Sequence, residues 1–123
     1  MKIQKHLTTY YFIIASTEFF LRYEPVEEVF RERTQHYRRE KKSTDFWFLS
    51  SPHFIESSQL VNIRNKLLDR NLSKEKCSAI VSIDQDFIVW SKLRFNNVIM
   101  GNFVAPTDDI PNPLASNFES IIS

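Results

Sequence analysis

Catalysis by side chains needs nucleophiles, bases or metal ligands that converge, so the spacing of those residues comes first. His6, His36 and His53 have no second His, Cys or paired carboxylate at ligand spacing. Glu32 and His36 are four apart and share a helical face, but one such pair reads as a solvated helix contact. It is not the Glu-x-x-His of di-iron helices. Cys77 is the sole cysteine, which rules out an internal disulfide and a thiolate cluster. It precedes an apolar run and reads as a buried, inert thiol rather than a nucleophile. Ser50-Ser51 and Ser57-Ser58 lack the context of a nucleophile elbow. Glu27-Glu28 and Asp108-Asp109 are adjacent pairs, and sequence neighbours do not converge on one substrate; they read as a helix-start charge and a loop charge. Gly101 is the sole glycine, so neither the P-loop nor the dinucleotide fingerprint can be written. It reads as relief for a bulge or a close approach in a strand. The expectation is a protein with no metal, no cofactor and no catalytic apparatus.

Recognition is the remaining chemistry, and one stretch points to it. Phe87, Trp90 and Arg94 are spaced i, i+3, i+7 and share one helical face. A guanidinium ending an aromatic stripe is stacked, paired with a carboxylate, or offered to a partner. Eleven Phe, four Tyr and two Trp leave two readings open, a Phe-rich core or aromatics exposed for contact. The net charge of +1 is no footprint for nucleic acid. The basic run Arg38, Arg39, Lys41, Lys42 reads as a solvated helix end, with a phosphate or membrane-surface patch as its rival. The longest apolar run, 10–15, is far short of the roughly 20 residues of a membrane span. The first six residues do not read as a secretory signal. These features predict a soluble protein of a reducing compartment.

The elements that must position these residues follow from pattern. Residues 8–15 (TTYYFIIA) are β-branched and aromatic without alternation, a strand covered on both faces. After a connector at 16–23, residues 24–42 predict a helix, with Pro25 in its first turn and acids at its start and bases at its end. Its stripe runs Val26, Val29, Phe30, Arg33, Tyr37, and Arg33 within it needs a carboxylate partner. Residues 45–49 (DFWFL) are a second strand, 56–69 an amphipathic helix and 79–83 a third strand. Asp84 caps a helix over 84–95, with Asn96-Asn97 as its stop. Residues 98–104 are the fourth strand, and 105–123 a Pro-rich loop ending in a short helix over 114–122. Strand and helix alternate, which suggests a parallel sheet. The two-residue joint at 96–97 and the scarcity of glycine argue against it. The expected fold is one α+β domain, 1–123, with a four-stranded, largely antiparallel sheet flanked by helices and a short extension at 1–7.

Several stretches in this order resemble a known family: Thr8-Thr9-Tyr10-Tyr11, then EVFRERT at 28–34, Asp45-Phe46-Trp47, FIVWSKLR at 87–94, Ala105-Pro106 and IPNPLAS at 110–116. The chain is similar in them to the hypothetical chloroplast open reading frame fifty-four family of cyanobacteria and plastids. That resemblance implies a non-catalytic accessory factor of the aerobic oxidative cyclase of chlorophyll synthesis, which converts magnesium-protoporphyrin IX monomethyl ester to protochlorophyllide. The implied partner is the membrane-associated di-iron subunit of that cyclase, which holds the iron ligands this chain lacks. The implied place is the plastid stroma or cyanobacterial cytoplasm, peripheral to the thylakoid through the partner. The partner surface carried over by matching motifs is Asp45, Phe46 and Arg94, with Trp47, Trp90 and Lys92 as neighbours. The expectation is one exposed patch with Phe46 as apolar anchor. The rival is an Asp45–Arg94 ion pair over a core Phe46. A tetrapyrrole-binding protein or small enzyme of the same pathway is the alternative function. The chain departs from the family's pattern at its first six residues and in a longer connector at 69–76.

Overall fold

A computed structural model describes residues 6–23, 31–32, 35, 46–95 and 97–116. The strands are β1 (Thr8–Ser16), β2 (Phe46–Ser50), β3 (Cys77–Ser82) and β4 (Ile99–Ala105). They form one sheet in the order β2-β3-β1-β4, and every pairing is antiparallel. The architecture is α+β, as the short joint before β4 required.

β1 lies between β3 and β4, and Phe12, Ile13 and Ile14 are fully buried. Side chains alternate across a strand, so β1 feeds two cores. Phe12 and Ile14 join Leu49, Ala79, Val81, Ile99 and Phe103 on one face. Ile13 and Ala15 join Phe46, Phe48 and Ile80 on the other. This explains why the β1 sequence shows no apolar alternation.

The first face is covered by α1 (Val61–Asp69) and the 3₁₀ turns before it, through Phe54, Ile55, Leu60, Ile63 and Leu67. Residues 106–116 close its end with Ile110 and Leu114. The Ala105–Pro106 bond is cis. The second face is covered by α2 (Gln85–Arg94), through Phe87 and Ile88, and by Phe20 from a π-helical turn at Phe19–Tyr23. That turn replaces the expected connector. Ser16 starts it by accepting from the Phe19 N–H at 3.0 Å, and Phe20 anchors it edge-on to Phe48 and Phe95, each at 5.8 Å.

α2 forms as its ends dictate. The Asp84 carboxylate accepts from the Phe87 N–H at 3.3 Å, the N-cap read from sequence. The chain leaves the helix at Phe95 in extended backbone, with its side chain buried. Gly101 meets the close-approach reading and not the bulge: the β1–β4 register runs unbroken through it. A Cβ there would stand 2.7 Å from Phe12 Cζ.

The short helix expected over 114–122 is not observed at its start. Asn112 Oδ1 accepts from the Leu114 N–H at 3.0 Å, Leu114 sits in a turn, and Ser116 bridges to Pro52. Asn and Pro favour such turns over helix. Residues 117–122 lie outside the described residues. So do most of the helix expected over 24–42, including Arg33 and His36; Arg31, Glu32 and Gln35 are helical.

Candidate docking face on α2

The six residues singled out for partner binding separate in the structure. Asp45 lies outside the described residues. Phe46 begins β2 and points into the core beneath α2; only 5% of its surface is exposed. The expectation of an exposed Phe46 is therefore corrected. β2 is apolar on both sides, and its parity sends Phe46 and Phe48 under α2 while Trp47 packs against the opposite core. Trp47 is thus on the other side of the sheet from Trp90 and Arg94.

α2 carries the rest. Phe87, Ile88 and Ser91 face the sheet, and the Ser91 hydroxyl donates to the Phe87 carbonyl at 2.8 Å. Trp90 stacks on Phe87 with ring centroids 6.1 Å apart, and Phe87 in turn meets Phe46 at 5.3 Å. Trp90 is 42% exposed. The Arg94 guanidinium lies 5.6 Å from the Trp90 ring centroid, within cation–π range. Its Nη2 is 3.8 Å from Glu32 Oε1, and both side chains are half exposed. Arg94 is therefore both stacked and paired, with Glu32 as a partner the sequence reading did not name.

A line of contact runs from the core outward: Phe46, Phe87, Trp90, Arg94. Phe46 reaches the exposed pair through Phe87. Its place in that line is positional: it sets the ring that sets Trp90.

The outer ridge of α2 was not picked out from sequence. Val89 and Leu93 stand one turn apart, away from the sheet, and Leu93 is 79% exposed. Its signal is only visible once the buried stripe of α2 is known. Two apolar side chains then fall opposite it. Lys92 is exposed, and helical spacing sets it one turn from Ile88 and Val89.

The groups on this face are an indole, a guanidinium paired with a carboxylate, an ammonium and two aliphatic side chains. They suit contact with an apolar and acidic surface, since aromatic and Arg residues dominate interface energetics.

Residues with other chemistry are engaged elsewhere. Burial pushes the Cys77 thiol up to about 11, and the Glu75 charge adds to it. Asp109 Oδ2 accepts from the Ser58 N–H and the Ser57 hydroxyl, each at 3.0 Å, and from the Ser58 hydroxyl at 3.1 Å. Those bonds, the Ser58 amide first, hold its carboxyl down at about 2. Asp109 thereby ties the C-terminal loop to the turn before α1. Among the described residues no three His, Cys, Asp or Glu side chains are grouped to hold a metal. Among them, no helix is long and apolar enough to cross a membrane.

Comparison with known proteins gives this chain and its fold a family. The model of the Ycf54 protein family matches residues 8–105. A Ycf54-like protein of Synechocystis sp. (strain ATCC 27184 / PCC 6803 / Kazusa) is 42% identical over 111 residues, spanning 90% of this chain and 79% of that protein. Protein YCF54, chloroplastic, of Arabidopsis thaliana is 28% identical over 111 residues, 89% of this chain and 48% of that protein. The solved structure of the Ycf54 protein from Synechocystis sp. PCC6803 superposes with a TM-score of 0.82 at 42% identity, covering 92% of this chain and all of that one. The All0216 protein of Nostoc sp. PCC 7120 gives 0.81 at 41% identity over 93% of this chain and all of that one. These relatives, cyanobacterial and chloroplastic, point to a plastid or a cyanobacterial cell. With the family model spanning the whole of β1 to β4 and relatives 42% identical over most of its length, the chain belongs to the Ycf54 family.

Proposed function

We propose that this protein is a non-catalytic accessory factor that docks the di-iron subunit of the aerobic oxidative cyclase through the exposed face of α2. The observation that carries the reading is the Trp90–Arg94 pair with Leu93 beside it. These are large apolar and cationic side chains, held in order by the core and left at the surface. The family resemblance supplies the partner's identity. The partner contributes the iron and the substrate site, and it brings the protein to the thylakoid surface. Phe46 supports the face from below, and Lys92 extends its charge. Among the described residues, the grooves beside α1 and α2, about 220 and 100 Å³, are smaller than the roughly 300–1,000 Å³ of small-molecule sites. Neither is a seat for a tetrapyrrole.

Affinity capture from detergent-solubilised photosynthetic membranes tests the proposal. The full chain is expected to retain the di-iron subunit, and Trp90→Ala to lose it while folding normally. Capture without that subunit overturns the reading. Titration with the magnesium-porphyrin ester tests the rival: saturable micromolar spectral change would make this a pigment-binding protein instead.

A further inference from the structure

β4 is an edge strand whose neighbour in the sheet is β1. Gln59 reveals which of its backbone groups face outward. The Gln59 amide donates to the Val104 carbonyl at 3.0 Å, and its oxygen accepts from the Val104 N–H at 2.9 Å. One side chain thus makes both bonds that a neighbouring strand would make. In an antiparallel ladder the inward and outward residues alternate. The backbone groups of Asn102 and Met100 therefore point the same way as those of Val104. Both residues are exposed, Met100 by 42%. Edge strands are normally blunted by charges or proline. Ile99–Ala105 contains neither, and Gln59 blunts the Val104 rung alone.

α2 runs beside this edge. Between them lies a groove of about 100 Å³ lined by Tyr11, Gln85, Ile88, Val89, Met100 and Asn102, with Gly101 at its floor, a space for one aliphatic side chain. By helical spacing Lys92 follows Ile88 and Val89 on the same wall. Arg70 Nη1 donates to the Asn97 carbonyl at 2.7 Å, just ahead of β4. The groove is apolar at Ile88, Val89 and Met100 and polar at Gln85 and Asn102, with Lys92 one turn further along α2.

We propose that the β4 edge at Met100 and Asn102 accepts an extended segment of a protein partner as a fifth strand, with an aliphatic side chain in the groove and an acidic one at Lys92. Strand addition beside a helix takes affinity from main-chain bonds and specificity from alternate side-chain pockets. The occupant is a foreign acidic segment because a second copy paired edge to edge would bring Ile99–Ala105, which holds no carboxylate for Lys92. Val89 carries the groove wall into the Leu93 ridge, so the site is continuous with the docking face. The identity of the partner rests on the docking reading.

The test follows the Met100 and Asn102 amide protons in the full chain. The first probe is a blocked peptide alternating threonine and leucine and ending in glutamate. It is expected to slow exchange of both amides by about tenfold or more, with the effect abolished in Lys92→Glu. Absence of protection at saturating peptide overturns strand addition. Protection that appears without peptide and grows with protein concentration also overturns it, in favour of self-pairing. The second probe is the di-iron subunit. Asn102→Pro removes an outward N–H and leaves the β1 ladder intact; Met100→Lys places a charge in the groove. Each is expected to melt like the wild type and to bind the subunit about tenfold more weakly. If the wild type and both variants capture it equally, strand addition is wrong and the docking face stands. If the wild type captures nothing, the docking reading falls, and the peptide result alone decides the edge.

Discussion

The two faces of the sheet are finished differently. On the α1 face, side chains tie the covering segments to one another and to the sheet edge. Asp109 gathers Ser57, Ser58 and Thr107, Gln59 holds Val104, and Arg64 donates to the Ile55 and Ser57 carbonyls at 2.9 and 2.6 Å. Even the groove beside exposed Leu68 is bordered by an ion pair, Lys74–Glu56 at 2.8 Å, which lowers the Glu56 pKa. On the α2 face the core is equally buried, but the helix outside it carries Val89, Trp90 and Leu93 into solvent. α1 also exposes Val61 and Leu68, but only α2 sets an indole and a guanidinium beside its exposed aliphatics, and the proposed docking rests on that difference. The lesson is that burial alone does not separate structure from function here. The difference lies in what the outer layer does with its own surface.

The largest effect is expected at Phe46. Phe46 is core beneath α2, so Phe46→Ala leaves a cavity and costs about 3–5 kcal/mol. Thermal denaturation measures this directly. A loss under about 1 kcal/mol would mean that the α2 face is loosely packed at β2 and that the contrast with the α1 face runs deeper than the docking ridge. Partner capture by the same variant then reads folding before it reads contact.

Gly101 gives the next effect and probes the opposite face. A methyl group there meets Phe12 Cζ at 2.7 Å and Ile63 Cδ1 at 3.2 Å. Phe12 is fully buried and fixed by the Phe54 ring at 4.9 Å and the Phe103 ring at 6.0 Å. It has nowhere to move, so Gly101→Ala is expected to cost about 1–3 kcal/mol by overpacking. A neutral or stabilising outcome in denaturant unfolding would show that the α1 face yields.

Much of this was legible in the sequence. Strand β1 announced its double burial by lacking alternation, α2 announced its start with Asp84, and Gly101 its close approach by standing alone. Phe46 was not legible, because β2 reads Phe-Trp-Phe-Leu and offers no polar phase to say which side faces a helix. Leu93 was missed for a related reason: the stripe chosen for α2, Phe87-Trp90-Arg94, is its flank, and the buried stripe centres on Ile88, Ser91 and Phe95. Gln59 and Val104 are 45 residues apart, and no local pattern marks such a pair. Asp109 reads as a loop charge until the Ser57–Ser58 turn is brought beside it.

Asp109 yields a smaller, pH-dependent effect confined to the α1 face. Its carboxyl titrates at about 2 in the folded chain against an ordinary 3.8. A depressed carboxylate adds stability above the ordinary value, and that contribution is lost as pH falls through the folded one. The wild type is therefore expected to melt above Asp109→Asn at neutral pH. The two curves should converge between about pH 4 and 2. A gap that persists unchanged at the acid end would show that the Ser57, Ser58 and Thr107 bonds do not depend on charge.

The smallest stability effect and the sharpest functional one are expected together on the ridge of α2. The Arg94–Glu32 pair is 3.8 Å long and half exposed, and such pairs contribute about 0–1 kcal/mol. Leu93 touches solvent over most of its surface, and exposed substitutions usually stay within about 0.5 kcal/mol. Arg94→Ala and Leu93→Ser should therefore melt close to the wild type. If the ridge is the docking face, each should still lose partner affinity by about 2 kcal/mol or more, the scale of an interface hot spot. Melting and capture on one preparation separate this from the behaviour of Phe46→Ala, where loss of fold and loss of capture move together. Arg94→Ala and Leu93→Ser variants that fold and bind like the wild type would remove the α2 ridge from the interface. The asymmetry between the two faces would then be one of packing alone.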